Sequence, residues 1–97
     1  MKTLVIIDDE IFFRKAVCSF IAKQENFRII GEANNGMSGI SLITSLKPDI
    51  ALVDISMPAM NGLEMIQNLS PSQPATKFNL LTGYGDYEYA RQAISLG

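Results

Sequence analysis

The sequence has no histidine, no tryptophan and a single cysteine, Cys18, in 97 residues. Without histidine there is no imidazole metal site and no Ser-His-Asp catalysis. One cysteine forms no internal disulfide, and such usage suits a reducing compartment. Positive charge is sparse, with 8 Lys+Arg against 10 Asp+Glu and a net charge of −2. Lys2, Arg14, Lys15, Lys23, Arg28, Lys47, Lys77 and Arg91 are scattered along the chain. No basic stripe exists to displace counterions from a nucleic-acid backbone, so direct nucleic-acid contact by this segment is not expected. Long apolar runs are also missing. Leu4 to Ile7 is closed by Asp8-Asp9-Glu10, short of the roughly 7–15 apolar residues of a signal peptide and the roughly 18 of a membrane span. A soluble, cytoplasmic chain with no membrane partner is expected.

What is present reads as one small globular domain over residues 1–97. Hydrophobic residues at 47% and charged residues at 19% are ordinary for a packed fold and too apolar for a disordered chain. Leu4-Val5-Ile6-Ile7 suits a strand buried on both faces. From Ile11 to Gln24 the period becomes helical, with Phe13, Val17, Phe20 and Ile21 on one side. Asp9 and Glu10 fall where a helix N-terminus favours negative charge. Phe27 to Ala33 reads as a second strand, and Asn34-Asn35-Gly36 as a turn and helix start. Ile40, Ile43 and Leu46, with Leu42, give that helix its apolar face, and Lys47-Pro48 stops it. Ile50 to Val53 is a third strand ending at Asp54. A loop with Pro58, Asn61 and Gly62 leads to a short helix over Leu63–Leu69. Ser70 to Thr76 is a loop, Phe78 to Leu81 a fourth strand ending at Thr82, Gly83-Tyr84-Gly85 a hinge, and Asp86 to Leu96 a last helix.

Strict β-α alternation predicts an α/β fold, a doubly wound parallel sheet. Ligands of such sheets bind beyond the strand C-terminal ends. Asp8-Asp9, Asp54 and Thr82 all fall at such ends, so adjacency of strands 1, 3 and 4 gathers three carboxylates and a hydroxyl. Clustered carboxylates repel, and a hard divalent cation relieves the repulsion. A carboxylate beside Mg²⁺ can attack a phosphoryl group to give an aspartyl phosphate. Taken alone, Asp8-Asp9-Glu10 is equally a set of helix-capping acids.

Three segments carry a family resemblance: Val5-Ile6-Ile7-Asp8-Asp9-Glu10, Leu52-Val53-Asp54-Ile55-Ser56-Met57-Pro58 through Asn61-Gly62, and Leu81-Thr82-Gly83. Together they resemble a CheY-like receiver domain of two-component response regulators, in register along the whole chain. Gly31-Glu32-Ala33 and the Asp86-Tyr87-Glu88-Tyr89-Ala90 stretch are most similar to receivers that precede AraC-type DNA-binding domains. The resemblance implies a flavodoxin-like sheet of order 2-1-3-4. It also implies phosphoryl transfer from a sensor histidine kinase to Asp54, with Mg²⁺, to switch an output such as transcription. Asp9 would bind the metal directly, Asp8 through water, and Ser56 through its backbone carbonyl. Thr82 would be the switch hydroxyl, and Met57, Pro58 and Gly62 would shape the loop.

Receivers of this family continue into a fifth strand and helix and carry a lysine at the end of that strand. No lysine here occupies that place; Lys77 starts strand 4. A fragment lacking those elements is expected to associate with a second copy through the exposed β4 side. Two other functions compete. A phosphorylation-independent interaction module would not need the cation. A Mg²⁺-dependent phosphatase would need an acid two residues after Asp54, where Ser56 stands. Asn79, inside an otherwise apolar strand, requires hydrogen-bond partners.

Overall fold

The computed structural model describes residues 1–55, 57–69 and 75–81. Ser56, Thr82, the Gly83-Tyr84-Gly85 hinge and the expected last helix lie outside the described residues. The elements alternate: β1 (Lys2–Ile7), α1 (Ile11–Ala22), β2 (Phe27–Ala33), α2 (Gly36–Leu46), β3 (Ile50–Asp54), α3 (Gly62–Leu69) and β4 (Lys77–Leu81). All strand pairs are parallel, in the order β2-β1-β3-β4. The parallel sheet is as the alternation predicts, and its order is the flavodoxin-like one that the family resemblance implies. The expected β4-side association concerns a flank that borders residues outside the described set.

The sheet divides the core into two layers because successive side chains of a strand point to opposite faces. Leu4, Ile6, Ile50 and Leu52 pack with Val17 and Ile21 of α1. Val5, Ile7, Ala51 and Val53 pack on the other face with Ile43 of α2 and with Met65 and Leu69 of α3. Both central strands are therefore covered on both sides, which explains their unbroken apolar sequences.

Local details depart from the sequence reading in three places. Helix α1 ends at Ala22, before Gln24. Its last turn tightens, with Lys23 N–H donating to the Phe20 carbonyl at 3.2 Å and Gln24 N–H to that of Ile21 at 2.9 Å. Helix α2 packs Ile40, Leu42 and Ile43 on the core as expected, but Leu46 is 41% exposed and Gly36 and Gly39 are buried on the same side. A Cβ on Gly39 would sit 2.9 Å from the Met65 sulfur and 3.0 Å from Ile7 Cδ1, so the missing side chain sets how closely α2 meets β1 and α3. The β1–β2 ladder shifts between Leu4 and Val5, whose partners are Ile29 and Gly31, leaving Ile30 as an extra residue. Asn79 pairs across from Leu52 and is half-buried. Among the described residues no buried side-chain nitrogen or oxygen lacks a hydrogen-bond partner.

The opposite rim of the sheet is tied by polar groups. Asp49 Oδ2 accepts from Thr3 N at 2.8 Å and from Thr3 Oγ1 at 3.0 Å. These bonds to the charged form lower the Asp49 pKa, with Lys2 and the amino terminus adding to the effect. Thr76 Oγ1 donates to the Pro48 carbonyl at 2.7 Å, in a buried position. That end is thus locked, and strand register is fixed before the chain reaches the functional end.

Helix α2 starts at Asn35, whose side chain accepts from Ser38 N–H at 2.8 Å. Asn35→Ala is expected to cost about 1 kcal/mol of unfolding free energy and Asn35→Gly only a few tenths, read from urea denaturation.

Candidate functional site: an acidic cluster at the strand ends

Ile7 and Val53 are partners across the β1–β3 ladder. The next residue on each strand is therefore forced to the same rim, and these residues are Asp8 and Asp54. Asp8 is 2% and Asp54 8% exposed, while Asp9 faces solvent. Carboxylate oxygens from Asp8, Asp9 and Asp54 all lie within 4.8 Å of one another. Across the β3–β4 ladder Asp54 is the partner of Leu81. The two remaining predicted site residues, Ser56 and Thr82, lie outside the described residues.

Asp8 is held at three points. Its N–H donates to the Ala33 carbonyl at 3.0 Å, extending the ladder to β2. One carboxylate oxygen accepts from Glu10 N–H at 2.8 Å. Its own carbonyl accepts from Arg14 Nη1 at 2.7 Å. Glu10 occupies the N-cap position of α1 without a side-chain capping bond. Helix capping by the Glu10 carboxylate therefore does not explain this acidic run.

The environment is unfavourable to three charges. Burial is the largest influence on Asp8, and Asp54 and Asp9 add repulsion; the Glu10 hydrogen bond opposes them. The Asp8 pKa is raised from 3.8 to about 6. Two charges at such a separation repel by about 3 kcal/mol at an effective dielectric of about 20. A site that retains this repulsion is built for a positive ligand. Its donors are hard carboxylate oxygens, which suit Mg²⁺ or Ca²⁺ and not a soft metal. Mg²⁺ sits about 2.1 Å from each oxygen ligand. A small contraction, or a water in place of one direct bond, would let these three acids hold it.

In the loop after Asp54, Met57 and Met60 turn toward the core while Pro58 and Ala59 are exposed. Met57 is 5% exposed and joins the α2–α3 side of the core. Met60 N–H donates to the Pro58 carbonyl at 2.7 Å across Ala59, whose φ of 68° is in the left-handed region. Such a turn is strained for a residue with a Cβ. Gly62 has no such freedom of replacement, because a Cβ there would lie 2.7 Å from the Asp54 carbonyl oxygen. Asn61 and Glu64 close the loop reciprocally: Glu64 N–H donates to Asn61 Oδ1 at 2.9 Å, and Asn61 N–H to Glu64 Oε1 at 3.0 Å. This capping pair was readable as Asn-x-x-Glu and escaped the sequence reading. Arg14 also escaped it, and no sequence spacing signals its bond to Asp8.

The fold is a doubly wound parallel α/β sheet with three carboxylates gathered at the C-terminal ends of its two central strands. The chain belongs to the response regulator receiver domain family, whose model matches residues 4–97. It is 36% identical over 94 residues to the uncharacterized transcriptional regulatory protein YhcZ of Bacillus subtilis, covering 97% of this chain and 44% of that protein. It is 33% identical to the chemotaxis protein CheY of Listeria monocytogenes, covering 100% of this chain and 81% of that one. Among solved structures, a two-component transcriptional regulator AraC from Clostridium phytofermentans matches with a TM-score of 0.77 and 30% identity, over 96% of this chain and 73% of that one. The chain thus spans less than half of the YhcZ relative. No helix among the described residues is long and apolar enough to cross a membrane.

The raised Asp8 pKa gives a signed prediction for the metal-free protein. The folded state holds its proton more tightly than the unfolded state, so this contribution is fully present below about pH 4. It is lost as pH rises through about 6. Asp8→Asn should match the parent below pH 4 and exceed it in stability above pH 6, in urea denaturation with a chelator present.

Proposed function

We propose that this chain is a phosphoacceptor switch, residues 1–97 forming one receiver domain in which Asp54 takes a phosphoryl group from a sensor histidine kinase. The observation that carries the proposal is the convergence of Asp8, Asp9 and Asp54 at the ends of β1 and β3. In this reading Asp9 and Asp54 hold Mg²⁺ directly, Asp8 through water, and Ser56 through its carbonyl. Bound Mg²⁺ supplies charge neutralisation on the transferred oxygens. An Asp54 carboxylate oxygen attacks phosphorus, the phosphorus–nitrogen bond to the kinase imidazole breaks, and the imidazole leaves with the electron pair. Thr82 then turns its hydroxyl toward the new phosphoryl oxygens, while Met57, Pro58 and Gly62 keep the loop in shape.

The reaction exchanges one charged group for a more highly charged one, so the consequence is a shift of the loop and its neighbouring helices. Transcription is the proposed output, supported by the regulatory relative from Bacillus subtilis, and the cytoplasm is the proposed location. Similarity to both CheY and an AraC-type regulator supports the receiver reading without favouring the narrower AraC-type affiliation.

Incubation with Mg²⁺ and acetyl phosphate tests the reading by intact mass. The expected result is a single phosphoryl adduct that is absent in Asp54→Asn and in chelator. An adduct of equal yield in Asp54→Asn would refute the assignment. Failure to label, with the fold intact by circular dichroism, would instead favour an interaction module that works without phosphorylation.

A further inference from the structure

We propose that Arg14 is a positioning residue for the cation site, strapping the β1–α1 loop to β2 so that the acids keep the spacing a small octahedral ion requires. The inference rests on reading the acidic cluster as a Mg²⁺ site. Arg14 Nη1 donates to the Asp8 carbonyl at 2.7 Å, and Nε donates to Glu32 Oε1 at 2.9 Å. The Arg14 side chain is only 13% exposed, and that of Glu32 32%. Glu32 is on β2, one residue before Ala33, whose carbonyl receives the Asp8 N–H. The Asp8 peptide unit is therefore fastened to the same strand on both sides, directly through its nitrogen and through the Arg14–Glu32 pair at its oxygen.

The planar guanidinium suits this task because it offers two donors in a fixed relation. Lysine carries its donors on one freely rotating nitrogen and does not offer two separated donors in a fixed plane. Charge alone argues against an arginine here, since a cation beside the site opposes the binding of another cation. Glu32 offsets that penalty. By occupying Nε it also ties the guanidinium to the β2 side. The geometric and the electrostatic roles therefore predict opposite signs when Arg14 is removed.

The test is calorimetric titration of the 97-residue chain with Mg²⁺ and, separately, Ca²⁺, with circular dichroism to establish folding. Mg²⁺ demands near-octahedral geometry whereas Ca²⁺ tolerates variable coordination. Arg14→Met is expected to weaken Mg²⁺ binding about 10-fold, as loss of an outer support of a ligand does, and Ca²⁺ binding distinctly less. Arg14→Lys should fail to restore the Mg²⁺ preference despite keeping the charge. Glu32→Ala, at a partly exposed position, should move the Mg²⁺-to-Ca²⁺ ratio in the same direction and carries the test if Arg14→Met does not fold. Unchanged or tighter Mg²⁺ binding in the folded variants, equal losses for both ions, or full rescue by Arg14→Lys would overturn the strap while leaving the site reading intact. A parent protein that binds no Mg²⁺, or binds it equally as Asp54→Asn, would overturn the site reading and the strap with it.

Discussion

Everything at the functional end depends on the pairing of two strands that are buried on both faces. β1 and β3 have no freedom to slide, because a one-residue slip would send Val5, Ile7, Ala51 and Val53 to the α1 side and their neighbours to the other. With Ile7 fixed opposite Val53, Asp8 and Asp54 are brought to the same rim. The hydrophobic core thus does electrostatic work: it holds like charges together that would separate in a looser chain. Burying a Val, Leu or Ile side chain contributes about 1.5–3 kcal/mol, and the two strands bury seven of these together with Ala51. A slip that exposed even a few of them would cost more than separating a pair of carboxylates that repel by about 3 kcal/mol would gain.

The sheet was legible because its signals are local. An unbroken apolar run closed by an acid marks a central parallel strand, and the sequence has two of them, at Leu4–Ile7 and Ile50–Val53. The start of α2 at Asn34-Asn35-Gly36 was equally plain, and the structure adds that Asn35 is the residue that caps it. The acidic cluster became legible once the strand ends were assigned, because parallel strands share one C-terminal rim. The close approach of α2 to its neighbours was not legible. Ile40, Leu42 and Ile43 lie inward as expected, but Gly36 and Gly39 lie inward with them, because closeness to Met60, Met65 and Ile7 leaves no room for a side chain. Glycine carries no hydropathy signal that announces such contact. The extra residue at Ile30 escaped for a similar reason, as a bulge is a property of two strands and β2 alone reads as regular.

Arg14 shows where single-chain patterns end. Its partners are a backbone carbonyl six residues earlier and a carboxylate eighteen residues later. Neither separation belongs to a helix or strand period, and arginine on the first turn of an amphipathic helix reads as a solvated charge. Only the packing of α1 against β2 gives it a role. Ser56 and Thr82 stand differently: their places come from resemblance to the receiver family, and both lie outside the described residues.

The balance of energies also explains why such a site can act as a switch. A cation bound only by the folded state, at about 100 times its dissociation constant, stabilises that state by about 2.7 kcal/mol. This is close to the repulsion the acids impose on one another. In the proposed reading the metal-free fold is held by its core against its own acidic rim, and a bound cation would relieve that repulsion. A phosphoryl group on Asp54 would act on the same balance. At its far end the loop after Asp54 is braced by Met60 against Gly36 of α2 and by the adjoining Asn61–Glu64 cap on α3. Immediately before these supports Ala59 has a φ of 68°, a strained conformation for a residue with a Cβ. In the proposed reading a displacement started at Asp54 would meet this strained turn before it meets the rigid supports, so the turn would take up the response.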